Sequence, residues 1–311
     1  EVIKMGKDMY QKRKERQESK NNNENSGVNK SVINWYPGHM AKAKREILDK
    51  IRDVDCIIEV IDARIPISSH IKEIDDFLGK KNIIIVLNKY DLCDKEISNK
   101  FIDYYIKKGY IVITSDSKNS NDYKKLLVKI DGFMESANIK RNSRGLLNKK
   151  AKAIVVGVPN AGKSTLINKL VGKTINKVAN KPGVTRNINV LRINDKVDLI
   201  DTPGILWPRL ENDEQALNLA SMSIIKEEII PIDRVGIHIL NKLNKYYKDI
   251  LIKEFKIDNF DNDDLIGMYE LINNYKHFPL YDGEVDYDRI NLYIINLIKS
   301  EHIKNITFDR P

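Results

Sequence analysis

Cysteine is scarce in this sequence: there are two in 311 residues, Cys56 in an apolar run and Cys93 in a polar one. That is too few for a disulfide scaffold or a cysteine metal cluster, so both are read as reduced bystanders. The chain also lacks any run of 18 uncharged apolar residues, and no apolar stretch backs the basic residues near its start. These two gaps argue against a helical membrane span and a secretory signal, and the expected location is cytoplasmic. Hydrophobic residues reach only 41%, low for a globular chain yet well above the disordered class. Acidic residues are in deficit, 44 Asp and Glu against 53 Lys and Arg, for a net charge of +9 and an isoelectric point near 9.2. Such a balance favours a polyanionic partner through counterion release, although a merely basic, well-solvated surface gives the same arithmetic. Length alone suggests about two domains.

Residues 1–30 are charged and then Asn-rich, with no apolar face to bury, and are expected to form a mobile basic and polar tail, a basic arm being the functional alternative. From Cys56 onward the pattern alternates. Short β-rich runs at Cys56–Ile61, Ile83–Leu87 and Tyr110–Thr114 are separated by helical stretches at Ile71–Leu78 and Ile97–Ile106, which predicts a mainly parallel sheet with helices on both faces. Lys140–Lys152 is strongly basic and reads as a solvated connection. A strand at Ala153–Val156, a Gly-rich loop, a helix at Ser164–Leu170 and a hairpin of Ile188–Ile193 with Val197–Ile200 then continue the sheet. Beyond Leu210 helical periodicity takes over. Gln215–Ile230 reads as one helical run ended by Pro231, and faces follow at Ile239, Leu243, Tyr246 and Ile250, at Leu265, Met268, Ile272 and Tyr275, and at Ile290, Ile294 and Leu297. The expected organisation is therefore a tail over 1–30, an α/β domain over 31–212 and a small all-α domain over 213–311.

Gly157-Val158-Pro159-Asn160-Ala161-Gly162-Lys163-Ser164 fits the phosphate-loop pattern GxxxxGK[ST], with a β-run before it and a helix after. Backbone N–H groups of Gly157, Asn160, Ala161, Gly162, Lys163, Ser164 and Thr165 are positioned to cradle phosphates. Lys163 reaches the β- and γ-phosphates, and Ser164 can ligate Mg²⁺. Asp201-Thr202-Pro203-Gly204 closes a later strand. Alone it is an ordinary turn, but beside a phosphate loop Asp201 suits the metal through water and the Gly204 amide suits a γ-phosphate. Thr185, in Lys181-Pro182-Gly183-Val184-Thr185, can complete the Mg²⁺ shell or be a plain surface threonine. Asn88-Lys89-Tyr90-Asp91 ends a strand, where Asp91 can accept from the N1–H and exocyclic amine of guanine, Asn88 orient the base and Lys89 lay its stem along the nucleotide. Backbone N–H groups around Ser115 can meet the guanine carbonyl. These residues select GTP and GDP over adenine nucleotides.

The order of the motifs is inverted. In a Ras-like GTPase the phosphate loop comes first and the guanine-reading loops last, whereas here Asn88–Asp91 and Ser115 precede Gly157–Ser164, Thr185 and Asp201–Gly204. The domain is expected to be circularly permuted, a P-loop GTPase fold rejoined through Lys140–Lys152.

Taken with Trp35-Tyr36-Pro37-Gly38-His39-Met40-Ala41-Lys42-Ala43 and Asp62-Ala63-Arg64-Ile65-Pro66, that order resembles the circularly permuted ribosome-biogenesis GTPase A family over about residues 32–230. The resemblance implies GTP hydrolysis in late maturation of the large ribosomal subunit. It also implies an RNA-binding helical C-terminal domain. The leading reading is a switch that meets the pre-ribosome and its rRNA in the GTP state and leaves after hydrolysis, with no DNA partner expected. The family resemblance further makes His39 the candidate for positioning the attacking water, because Ile205 stands where many Ras-like GTPases have Gln; packing or an RNA contact is the alternative for His39. Asn160 is similar to the Asn of potassium-dependent GTPases, with K⁺ as a candidate ligand, and a loop hydrogen bond is its plainer role. A monomer is expected off the ribosome. Lys42, Lys44, Arg45, Arg64 and the Lys140–Lys152 cluster are candidates for RNA phosphates, and Tyr246 or Tyr247 for base stacking. The other readings weighed are a GTPase with a small-subunit or tRNA client, and an RNA-binding module whose nucleotide is not hydrolysed.

Overall fold

A computed structural model describes residues 38–116, 120–172, 189–205, 210, 212–225, 229–257, 264–281 and 283–311. Six strands form one sheet: β1 (Cys56–Asp62), β2 (Asn82–Asn88), β3 (Ile111–Ser115), β4 (Ala151–Val156), β5 (Asn189–Arg192) and β6 (Val197–Asp201). Their spatial order is β3-β2-β1-β4-β6-β5, with every neighbouring pair parallel except the β5–β6 hairpin. Every residue of β1 is buried, as expected for a central strand covered on both faces. Within the sheet's unit the helices are α1 (Gly38–Arg52), α2 (Lys95–Lys107), α3 (Ser120–Gly132), α4 (Glu135–Asn142) and α5 (Lys163–Val171). The α/β alternation and the permuted P-loop fold are as expected from the sequence.

The strand order contains the permutation. The first three strands step outward from β1 to one edge, and the chain then returns to the centre to lay β4 against the other side of β1. The ends of β1 and β4 thus flank the point where the winding reverses, the usual place for a ligand in such sheets. Asp62, Asn88, Ser115, Val156 and Asp201 all close parallel strands and so share one edge of the sheet.

A second unit, within Arg209–Met222 and Glu227–Ile303, is helical: α6 (Asp213–Ser221), α7 (Ile232–Tyr246), α8 (Lys248–Phe255), α9 (Leu265–Lys276) and α10 (Tyr287–Lys299). Side chains cap several N-termini: Asn212 accepts from the Gln215 amide at 2.8 Å, Asp264 from Gly267 at 2.9 Å and Asp286 from Arg289 at 3.0 Å. Ile239, Leu243, Met268, Ile272, Ile290, Ile294 and Leu297 are buried as their spacing predicts. Tyr275 is exposed, and Tyr269 occupies the core instead.

Several sequence expectations are revised. The run Gln215–Ile230 is not one helix: α6 stops at Ser221, and Ser223 sits at φ +56°. Ile71–Leu78 is a 3-10 turn over Lys72–Phe77 rather than an α-helix. The periodicity through Tyr246 and Ile250 spans two helices that meet at Tyr247. The basic connection begins as α4, which buries none of its side chains. Residues 223–225 and 304–311, expected with the helices, group with the sheet. The proposed tail over 1–30 lies outside the described residues.

Candidate functional site

The phosphate loop runs from the end of β4 into α5. Gly162 sits at φ +99° and the helix begins at Lys163, so the loop turns the N-terminus of α5, the positive end of its dipole, toward the site. Lys163 is buried, and its ammonium donates to the carbonyls of Gly157 and Val158 at 2.9 and 2.8 Å. Burial lowers its pKa to about 8, with the Asp201 carboxylate pulling the other way. Ser164 and Thr165 occupy the first turn of α5. Asn160 adopts φ +56° and donates through Nδ2 to the Ser223 carbonyl at 2.5 Å.

Asp201 ends β6 opposite Val155 and is fully buried, and Thr202 Oγ1 donates to the Val155 carbonyl at 2.7 Å. A Cβ on Gly204 would lie 2.8 Å from both Lys163 Nζ and Pro159 Cα, so only glycine lets this backbone approach the phosphate loop so closely.

The guanine-reading candidates meet the same edge. Asn88 and Ser115 are register partners, and the Tyr90 amide donates to the Ser115 carbonyl at 3.2 Å. Asn88 Nδ2 donates to the Ala161 carbonyl at 2.7 Å, which joins the turn after β2 to the phosphate loop. Lys89 sits at φ +58°, and its ammonium bonds Asp62 Oδ2 at 2.8 Å. Asp91 follows in the same turn.

Asp62 is the residue that sequence reasoning left without a role. It is fully buried, and besides Lys89 it accepts from Arg64 Nε at 3.0 Å and Nη2 at 2.8 Å. Burial alone would raise its pKa, but the two cations hold the carboxyl well below the usual range. The available signal was a carboxylate closing an otherwise apolar strand, which demands a buried partner. Arg64, offered as an RNA contact, is occupied by this pair, and Lys44 bonds Glu73 at 2.8 Å.

The structure thus brings together Asn88, Lys89, Asp91, Ser115, the phosphate loop, Asp201 and Gly204. His39 lies in the first turn of α1, and Thr185 lies outside the described residues. Both cysteines are buried thiols, with burial pushing Cys93 up to about 11. Among the described residues, no helix is long and apolar enough to cross a membrane.

Comparison with known proteins agrees with this geometry. Residues 152–263 match the family described as 50S ribosome-binding GTPase. Ribosome biogenesis GTPase A of Bacillus cereus is 32% identical over 280 residues, covering 90% of this chain and 94% of that protein. The Thermotoga maritima protein of the same name is 35% identical over 203 residues, covering 65% of this chain and 70% of its own length. Among solved structures, GNP-bound YlqF from T. maritima aligns with a TM-score of 0.61 at 27% identity, over 87% of this chain and 98% of that one.

Proposed function

We propose, from the premise that this chain belongs to the circularly permuted ribosome biogenesis GTPase A family and hydrolyses GTP, that it is a switch in late assembly of the large ribosomal subunit. In this reading it binds the pre-ribosome and its rRNA while loaded with GTP and leaves after hydrolysis, working as a monomer in the cytoplasm. The helical region over 213–303 carries RNA binding. The net charge of +9 supports a polyanionic client, and the names borne by relatives support the ribosome.

The observation that carries the nucleotide part is the Asn88–Ala161 hydrogen bond, which holds base-reading and phosphate-binding loops side by side. Asp91 accepts from the guanine N1–H and amine, Lys89 lies along the base plane held by Asp62, and the Ser115 region faces the guanine carbonyl. Lys163 and the N–H groups of Asn160 through Thr165 neutralise the β- and γ-phosphates. The Gly204 amide beside Lys163 senses the γ-phosphate. Mg²⁺ fits the donor set, since the fully buried Asp201 carboxylate is a hard oxygen donor beside the phosphate loop, and Asp201, Ser164 and Thr185 would hold the ion. When bound, the metal draws negative charge from the β- and γ-oxygens. Asn160 Oδ1 is the candidate ligand for K⁺.

His39 positions a water for in-line attack on the γ-phosphorus. The new P–O bond forms as the bond to the β–γ bridging oxygen breaks, with the electron pair leaving on GDP and the water's proton passing to solvent or phosphate.

The test is GTP turnover in potassium buffer, alone and with isolated large or small ribosomal subunits, with ATP as control. Stimulation by large subunits only is the expected result, and equal turnover under all conditions would remove the large-subunit assignment. Asp91→Asn tests the base reading: an amide there should prefer xanthosine over guanosine nucleotides, because xanthine presents a carbonyl where guanine presents its amine.

A further inference from the structure

Helix α10 is followed by a segment that returns to the sheet's unit and is almost wholly buried: Ile306, Thr307 and Phe308 are inaccessible to solvent and Asp309 nearly so. Burial of an extended segment requires that its backbone and side-chain polar groups find partners. Here the partners are concentrated on two loops.

The first loop follows Asn88–Asp91. The Ile306 amide donates to the carbonyl of Leu92, the residue next to Asp91, at 3.3 Å. The Asp94 amide donates to Thr307 Oγ1 at 3.2 Å, and that hydroxyl also lies 3.1 Å from Ser98 Oγ. The second loop follows Asp62. The Phe308 amide donates to the Arg64 carbonyl at 2.7 Å. Asp309 Oδ2 accepts from the amides of Ile67 and Ser68, both at 2.7 Å, and Oδ1 accepts from Ser68 Oγ at 2.5 Å. Four short bonds to a carboxylate and its neighbour are far more than a passing surface contact.

These two loops already meet at the base-reading turn. The Ala63 amide donates to the Asn88 carbonyl at 2.9 Å, Ser98 Oγ donates to the Ala63 carbonyl at 3.0 Å, and Asp62 holds Lys89. Lys89 occupies a left-handed backbone conformation, which a lysine keeps only where its surroundings impose it. The 306–309 segment bonds the chain just after that strained turn and, separately, the Arg64–Ser68 loop that follows Asp62.

We infer that Thr307 and Asp309 are positioning residues for guanine recognition: through Leu92–Asp94 on one side and Arg64–Ser68 on the other, they hold Asn88–Asp91 in its base-reading geometry. The inference rests on the reading of Asn88–Asp91 as the guanine loop. It places a determinant of base affinity more than 200 residues from that loop in sequence, as the Asp94–Thr307 separation of 213 positions shows.

The test uses the full chain with Thr307→Val, an isosteric loss of the hydroxyl, and with Asp309→Ala and Asp309→Asn. Affinities are measured for GDP, for inosine diphosphate, which lacks the exocyclic amine, and for inorganic tripolyphosphate, which reads the phosphate loop alone. Thr307→Val and Asp309→Ala should weaken GDP about tenfold and narrow the preference for GDP over inosine diphosphate, with tripolyphosphate affinity unchanged. Asp309→Asn, which keeps one carbonyl acceptor, should recover part of the loss. If melting temperatures fall while the GDP preference measured well below the melting range stays intact, the segment is only structural and the inference fails. Should Asp309→Ala not fold, Thr307→Val still decides. If Asp91→Asn fails to shift preference toward xanthosine diphosphate, the guanine-loop reading falls and this inference with it. A normal shift there, with GDP preference unmoved in the 307 and 309 variants, overturns this inference alone.

Discussion

Asn88 Nδ2 donates to the carbonyl oxygen of Ala161 at 2.7 Å, so a side chain at the end of β2 fixes a loop lying 73 positions later in the chain. Asn88 is buried, and Gly162 beside it has no room for a Cβ against the Asn88 amide. In a permuted chain this bond is a noncovalent seam between a first half that reads the base and a second half that grips the phosphates.

Asn88→Ala should therefore do two things at once. It leaves the Ala161 carbonyl without that partner, at a cost of about 1–3 kcal/mol in unfolding free energy. It also loosens both loops, so GDP affinity should fall, by about tenfold. Urea denaturation and GDP titration check both; an unchanged affinity beside a lowered stability would show that the seam matters for folding only.

Asp62→Asn should be more damaging than its neutral isostere suggests. The change removes the negative charge that Lys89 and Arg64 share, while Arg64 stays buried and charged. Breaking a buried ion pair in this way costs up to about 3–5 kcal/mol. Chemical denaturation should show a loss of that order. GDP affinity should also fall, since Lys89 is no longer held beside the base-reading turn.

Most of the sheet could be read from the sequence because most of its strands are short apolar runs bounded by polar or turn residues, as at Ile83–Leu87 before Asn88. The phosphate loop was legible for the same local reason, since its chemistry is set by spacing within eight residues. What could not be read depends on distant partners. Nothing local in Ile306–Asp309 announces that its polar atoms bond Leu92, Arg64 and Ser68, and Asp62 looks like any strand end until Lys89 and Arg64 close on it. The helix over Glu135–Asn142 was missed because it has no buried face, and Ile139 is exposed. The break after Ser221 depends on the backbone turn at Ser223, which apolar periodicity cannot report.

Lys163 should make phosphate binding sensitive to mild alkali. Burial lowers its pKa to about 8, well under the ordinary lysine value of 10.5. Only the ammonium pairs with phosphate oxygens, so above pH 8 part of the binding energy goes into reprotonating the amine. GDP affinity should be nearly flat from pH 6.5 to 7.5 and then weaken, approaching about tenfold per pH unit beyond pH 9. Calorimetric titration across pH 6.5–9.5 reads this directly, and Lys163→Ala should bind weakly with no such bend.

Stability should fall at alkaline pH for a separate reason, located at His70. Its Nδ1 lies 2.9 Å from Glu59 Oε2 in the middle of β1, and its Nε2 lies 3.0 Å from Asp75 Oδ1 in the 3-10 turn. Tyr105 and Tyr110 pack edge-on against the ring, Tyr110 also bonds Asp75, and Lys108 pairs with Asp75 at 3.4 Å. Burial pulls the imidazole pKa down, but the two carboxylates outweigh it and raise it from 6.5 to about 10. Below pH 6.5 both folded and unfolded chains hold the proton, so the clamp contributes in full. Between pH 6.5 and 10 only the folded chain holds it, and stability declines by up to about 1.4 kcal/mol per pH unit. Asp75 is shifted the opposite way, held well below the usual carboxylate range by His70 and Tyr110 against the effect of burial, so its share is lost as acid protonates it. Urea midpoints at pH 6, 7.5 and 9 should fall with pH in the native chain and much less in His70→Gln, which keeps the hydrogen-bonding shape without the proton. An equally steep decline in His70→Gln would assign the alkaline loss to other groups.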